Sequence, residues 1–400
     1  MYNVTIIGAG RSGRGMLGEL FHRERGCYQV TFVDCDSRLV EGLREQGYYH
    51  VTMNDLKKQT AETVKIDGFQ LIDAWKQPDA YHESVARADI VLTALLPDAF
   101  EDVMDHLAAA IRLRMRIGLE TVLPITLGAN YVGLYEAYDH GLRSRLNAEE
   151  TAYFEKHILL VMSIVNRKNL LPETNECLDR YHITGDNKSV LRVEDLPALH
   201  KISACPGFFR FEKDLSAAMA IKIWAGNLVQ CSMAFVALYY GLDNTYDAAY
   251  HPTAARFAYY AAQEGYFGVA REYGLHEDPV ERARNQICIF RNESFRDSLH
   301  RIAREPLRKM GRNDRFIGPA LLCLKYGRTP YFIAKCCAYG FFYRAADDPQ
   351  SLRMGEEIAY DGIDAVILRY TGLNTAVPEE RLLFDLIRNA YYAVDNTELF

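Results

Sequence analysis

Lys222, Asn227 and Gln230 lie within nine residues of a strongly apolar stretch, Lys-Ile-Trp-Ala-Gly-Asn-Leu-Val-Gln. With Lys222 as zero on an ideal α-helix, Gln230 falls near 80° and Asn227 near 140°, so the three side chains can line one cleft. An alcohol that surrenders hydride must lose its hydroxyl proton as well, because the positive charge left on carbon is otherwise prohibitive. A lysine desolvated by Ile221, Ile223 and Trp224 has its pKa lowered toward neutrality and can take that proton. A neighbouring amide can hydrogen-bond the alkoxide-like oxygen as it forms, a contact that strengthens in the transition state. On composition alone, a lysine whose stem lies on apolar surface with its head in water, beside Asn227 as a polar residue at a helix bend, is the better fit.

A second constellation opens the chain. Gly8, Gly10 and Gly13 stand in G-x-G-x-x-G spacing after the strand-like run Asn-Val-Thr-Ile-Ile-Gly. Asp34 closes the next strand-like run, Tyr-Gln-Val-Thr-Phe-Val-Asp. In this context the first glycine makes a tight turn, the second lets a pyrophosphate approach the backbone, and the third lets helix and strand pack closely. The helix start offers free N–H groups and a positive dipole to the phosphates. Asp34 would take the adenosine ribose diol. Cys35 and Asp36 follow it rather than an arginine, which favours NAD over NADP.

Arg304, Arg308, Lys309, Arg312 and Arg315 crowd twelve residues. Most of them read as a solvated helix start, while Arg308 and Lys309 are the pair best suited to grip an anionic end of a substrate. His251 and His276 read as loop and helix-start residues. No spacing of His, Cys and acidic residues suggests a metal site.

Short β-branched runs alternate with amphipathic helical stretches through the first third, which predicts a parallel sheet covered by helices on both faces. Strands are expected at 3–8, 28–34, 88–96, 116–122 and 157–165, and an inserted pair of short strands between Gly47 and Trp75. From about Leu196 apolar residues recur at helical spacing almost to the end. The expected fold is therefore an α/β Rossmann-like domain with a parallel-rich sheet over 1–195, then a mostly α-helical domain over 196–400. With 400 residues, two domains are the natural division. A net charge of −7 with acids and bases mixed argues against a nucleic-acid partner. Nine scattered cysteines suit a reduced, cytoplasmic protein. No leader segment is visible, and the longest uncharged apolar run, 228–242, is too short and too interrupted for a membrane span.

The chain resembles the polyol-specific long-chain dehydrogenases, the mannitol dehydrogenase family, and most of all their mannitol-1-phosphate 5-dehydrogenase branch. The likeness runs through most of the chain. It is carried by Gly-Ala-Gly-Arg-Ser-Gly-Arg-Gly with Asp34, by Ala-Asp-Ile-Val-Leu-Thr-Ala-Leu-Leu-Pro, and most closely by residues 304–327. The family places an asparagine five residues after a catalytic lysine and a histidine eight after it. The resemblance thus implies Lys222 as general base and Asn227 as oxyanion partner, with Gln230 where the histidine belongs. Two more positions depart. Thr121, in Leu-Glu-Thr-Val, replaces an oxyanion-binding asparagine, and Asn166, in Val-Asn-Arg-Lys, replaces an acid. The resemblance implies metal-independent, NAD-linked hydride transfer at a secondary carbinol of a sugar alcohol, by a monomer or small homo-oligomer. The departures leave three readings open: a phosphorylated sugar alcohol as substrate; a free polyol, sugar acid or other sugar; or a nucleotide-binding sensor with a decayed site.

Overall fold

The computed structural model describes residues 1–395 apart from 56–57, 59, 173 and 294–295. The chain divides into two compact units, Met1–Ser216 and Ala217–Phe400.

The first unit holds twelve strands among its described residues: β1 (Tyr2–Ile7), β2 (Tyr28–Asp34), β3 (Tyr48–Asp55), β4 (Thr60–Asp67), β5 (Gln70–Asp73), β6 (Ile90–Thr93), β7 (Leu123–Leu127), β8 (Ile158–Ile164), β9 (Asn169–Leu170), β10 (Ile183–Asp186), β11 (Leu191–Glu194) and β12 (Phe209–Glu212). Eight form one sheet in the order β12-β11-β8-β7-β6-β1-β2-β5. Its pairings are parallel, except that β11 runs against β8. All of β6 and β7 and the last four residues of β1 are buried, as expected for strands covered on both faces. β1 sits between β2 and β6, so the strand order reverses at its carboxyl end. Ligands of open α/β sheets bind in the crevice at such a point.

The pair of strands expected between Gly47 and Trp75 is the antiparallel hairpin β3–β4, which joins β10 and β9 in a separate four-stranded sheet. Residues 116–122 are not a strand. The helix Phe100–Arg116 extends into this segment, and Gly118 turns the chain with φ of +72°. The strand starts at Leu123, where Pro124 had weakened the strand signal. The first unit also runs past residue 195, because β12 returns to pair with β11. Near its centre, Arg167 and Glu19 form a fully buried ion pair at 2.8 Å, and Arg167 also donates to the Gly15 carbonyl at 2.8 Å. That pair ties the loop after β8 to the helix after β1.

Among the described residues, every named element of the second unit is a helix. Its core gathers Phe235, Phe316 and Phe341 with the small residues Ala234, Ala258 and Ala261. Its first helix, Leu215–Tyr239, is longer than the apolar run visible in the sequence, because the Lys222 stretch joins it. By length and composition this helix could cross a membrane, but 61% of its most apolar stretch is buried inside the protein. Helix Tyr331–Gly340 starts against Glu264, whose buried carboxylate accepts from the N–H groups of Phe332 at 3.1 Å and Ile333 at 2.9 Å. Burial pushes the Glu264 carboxyl up to about 7, against the pull of those donors. All nine cysteines are free thiols.

Candidate active site

The three glycines of the first turn each meet a different demand. Gly8 has φ of +100°, and a Cβ there would lie 2.5 Å from the Ala94 carbonyl oxygen. At Gly13 a Cβ would lie 1.9 Å from the Gly8 carbonyl oxygen, so only glycine lets the helix close on the strand. At Gly10 a Cβ would meet nothing within 4 Å. That face is open. The helix itself starts at residue 11, and the Arg14 N–H bonds the Gly10 carbonyl at 3.0 Å.

Asp34 is fastened to this turn. One carboxylate oxygen accepts from the Ala9 N–H at 2.6 Å and the other from the Asp36 N–H at 2.9 Å. Gly8 and Asp34 line a pocket of about 80 Å³ with Cys35, Trp75, Tyr81 and His106. His106 lies 2.9 Å from His82 through ring nitrogens and 4.6 Å from the Tyr81 ring. Burial holds both imidazoles below the usual histidine value. Neither histidine stood out in the sequence, since their partners come from separate helices. Beneath the turn, buried Arg14 donates to the carbonyls of Ala9 at 2.6 Å and Tyr181 at 2.7 Å. It supports the turn from inside.

The carboxyl ends of β6, β7 and β8 lie at the same end of the sheet as this turn. The Gly128 N–H bonds the Thr93 hydroxyl at 2.9 Å, and a Cβ on Gly128 would sit 2.3 Å from the Thr93 carbonyl oxygen. Asn130 follows two residues later. Asn166 follows β8; its side-chain oxygen is enclosed without a hydrogen-bond partner, and its carbonyl accepts from Lys188 at 2.8 Å. Thr121 does not belong to this group. It precedes β7, at the opposite end of the parallel sheet, where Arg114 bonds its hydroxyl and carbonyl at 2.8 Å. The displaced strand start explains the error. Residues at the carboxyl end of β7 include Asn130, which the sequence reading passed over.

In the second unit, Lys222, Asn227 and Gln230 line one pocket of about 220 Å³. All three are half-buried. The helix there is wound wide, as a π-helix over Ile221–Asn227, before returning to α-helix at Leu228. Such i→i+5 turns cluster at functional sites. The interval from Lys222 to Asn227 is five residues, so the wide turn brings them closer in azimuth than α-helical geometry does. Two glycines clamp it. A Cβ at Gly265 would lie 2.6 Å from the Trp224 carbonyl oxygen, and one at Gly318 would lie 2.5 Å from the Trp224 indole. The indole N–H donates to the Asn313 carbonyl at 3.2 Å.

The opposite wall comes from helices Pro252–Tyr273 and Pro279–Phe290, through Tyr266, Arg282 and Gln286. The Arg282 guanidinium lies 4.9 Å over the Tyr266 ring and bonds Glu277. The Tyr266 hydroxyl donates to Glu277 at 2.9 Å. That hydrogen bond, reinforced by Arg282, holds the Glu277 carboxyl below its usual range. Arg282 was invisible to spacing arguments, as its helix lies sixty residues away in sequence. The cations expected to grip an anion are elsewhere. Arg308 pairs with Glu305 at 2.8 Å and Asp314 at 3.1 Å. Lys309 is buried, and burial pushes its ammonium down to about 7. Neither lines the Lys222 pocket. His251 caps helix Pro252–Tyr273, and neither it nor His276 lines that pocket. Among the described residues no group of three His, Cys, Asp or Glu could hold a metal ion.

Residues 2–196 match the model of the mannitol dehydrogenase Rossmann domain, and residues 214–393 that of the mannitol dehydrogenase C-terminal domain. The chain is 24% identical over 379 residues to a mannitol-1-phosphate 5-dehydrogenase of Streptococcus pneumoniae (strain CGSP14), covering 94% of this chain and 97% of that one. Its fold is similar to that of Pseudomonas fluorescens mannitol 2-dehydrogenase, solved in ternary complex with NAD and D-mannitol. The TM-score is 0.76 at 13% identity, over 99% of this chain and 92% of that one. A substrate-free D-sorbitol dehydrogenase is similar in fold with a TM-score of 0.62 at 14% identity, over 96% and 92% of the two chains.

Proposed function

The chain belongs to the mannitol dehydrogenase family, whose members carry out NAD-dependent polyol oxidoreduction, and from this premise we propose that its substrate is a sugar alcohol bearing a terminal phosphate. The observation that carries the proposal is the single pocket that gathers Lys222, Asn227 and Gln230 with the cation Arg282. A base, two amides and a guanidinium suit a carbinol at one end and an anion at the other.

The residues present fit the dinucleotide. The open face at Gly10 and the N–H groups of the helix start would take the pyrophosphate, and Asp34 the ribose diol. A 2′-phosphate would meet the Asp34 carboxylate, which favours NAD over NADP. Bound NAD supplies the hydride acceptor. Lys222, as the free amine, removes the hydroxyl proton while the carbinol C–H bond breaks, so no charge accumulates on carbon. Asn227 donates a hydrogen bond to the oxygen as it becomes carbonyl-like. Gln230 holds a neighbouring hydroxyl without titrating. Arg282 holds the phosphate, its fork directed by Glu277 and Tyr266. The mannitol-1-phosphate 5-dehydrogenases among its relatives support this substrate class.

A second reading substitutes a carboxylate for the phosphate, because Glu277 already offsets part of the Arg282 charge. A panel of ketose phosphates, free ketoses and uronates, each assayed for NADH oxidation, separates these. Ketose phosphates are expected to turn over best. Arg282→Gln is expected to raise their KM tenfold or more while sparing free ketoses. Lys222→Ala is expected to cut kcat by about 10²–10⁴-fold with NADH binding retained. Tight NADH binding without turnover on any panel member would point instead to a sensor.

A further inference from the structure

A groove between helices Pro252–Tyr273 and Pro279–Phe290 has no part in that chemistry. Its volume is about 330 Å³, within the roughly 300–1,000 Å³ typical of small-molecule sites. Arg256, Arg284 and Arg291 line it with Tyr250, Tyr259 and Tyr260, and no carboxylate does. Nearby, Arg282 is paired with Glu277, and Arg296 with Asp247 and Glu293. Among the described residues no ion pair reaches the three groove arginines. The chain carries 53 acidic and 46 basic residues, so acids are not scarce. Three like charges gathered without a counterion repel one another, and an anion relieves that repulsion.

The aromatic side of the groove is fixed from behind and open in front. The Tyr260 ring stacks on Phe332 at 4.7 Å and 25°. The Arg291 guanidinium lies 5.2 Å over the Tyr250 ring, while its Nε–H donates to the Ala249 carbonyl at 3.1 Å. Tyr250 remains 56% exposed and Tyr260 38%. Among the described residues, Arg291 is thereby held with its two terminal amino groups unspent. Guanidinium forks recognise phosphate oxygens two at a time, and tyrosine faces accept flat rings.

We propose that this groove is a second ligand site, for a phosphorylated small molecule that carries a planar ring, with a nucleoside diphosphate as its model. Phosphate oxygens meet Arg256, Arg284 and Arg291, and the ring lies on Tyr250 and Tyr260. The site is separate from the Lys222 pocket and from the glycine turn, so the proposal stands whichever polyol is the substrate.

Calorimetric titration of ADP into the full chain saturated with NADH tests it, because NADH fills the first nucleotide site. The expected result is one further ADP site per chain, with inorganic pyrophosphate and a ringless sugar phosphate binding at least tenfold more weakly. Arg256→Gln/Arg284→Gln is expected to weaken ADP about tenfold or more, with NADH affinity and dehydrogenase turnover unchanged. Should the double variant lose NADH binding, Tyr250→Ala takes its place; it is expected to weaken ADP and leave pyrophosphate unaffected. No second site, equal affinity for ADP and pyrophosphate, or ADP binding untouched by the variant that folds would each overturn the proposal.

Discussion

Gln230 can donate and accept a hydrogen bond but cannot change charge between pH 5 and 8, whereas the histidine it replaces in the family pattern can. The wild-type pH profile of kcat/KM should therefore lack a limb near 6.5. Gln230→His should introduce one, visible as falling activity when the imidazole is protonated; an unchanged profile would mean that the position does not communicate with the reacting oxygen. At this scale the sequence was informative where chemistry is local. Lys222, Asn227 and Gln230 could be grouped from spacing because one helix carries them all. Arg282, Tyr266 and Glu277 could not, because their convergence is made by packing between helices. Arg308 and Lys309 were misjudged for a related reason. Their acidic partners and their burial depend on the tertiary fold, which charge spacing does not encode.

Elements explain which substitutions the site tolerates. Gly13→Ala would force a methyl group to 1.9 Å from the Gly8 carbonyl oxygen, so the helix would have to move off its strand. Loss of NADH binding together with lowered thermal stability is expected. Gly10→Ala faces open space; it should leave stability within about 1 kcal/mol of wild type while weakening NADH, because the methyl occupies the phosphate's approach. Fluorescence titration and thermal melts on the two variants separate these effects, and equal melting losses would contradict the assignment. Gly8 and Gly13 were legible because each answers a backbone requirement. Strand β7 was less so. Pro124 depressed its signal, the helix before it ran on to Arg116, and the resulting shift placed Thr121 at the wrong end of the sheet.

For the whole molecule, alternating and helical textures identified both parts of the fold, and the compact first unit runs on from the expected boundary at 195 to Ser216. β12 pairs late and looks like loop until its partner β11 is known. Stability as a function of pH is also a property of the whole, and its carboxylates pull in opposite directions. Glu212, held below its usual range by Arg192, and Glu380, held there by Arg312, stabilise the fold above about pH 4.5 and lose that contribution as pH falls. Glu264 does the reverse. Its folded-state value of about 7 lies above the ordinary 4.5, so the unfolded chain releases the proton first. Stability from this group therefore declines as pH rises from 4.5 to 7 and then levels, by on the order of 3 kcal/mol. Glu264→Gln should cost more stability at pH 5 than at pH 8 in urea unfolding; a cost independent of pH would exclude the linkage.

The wide turn over Ile221–Asn227 also alters what a spacing motif means. A π turn holds an extra residue in nearly the same rise, so it acts as a phase shifter between two lengths of otherwise regular helix. Downstream of it, Gln230 keeps step with the core; upstream, the helix is set to a different rotation. Lysine-to-amide distances counted along the chain are thus coordinates on a helix with one notch in its thread. Without that notch, the same letters in the same order would turn another side chain toward the substrate.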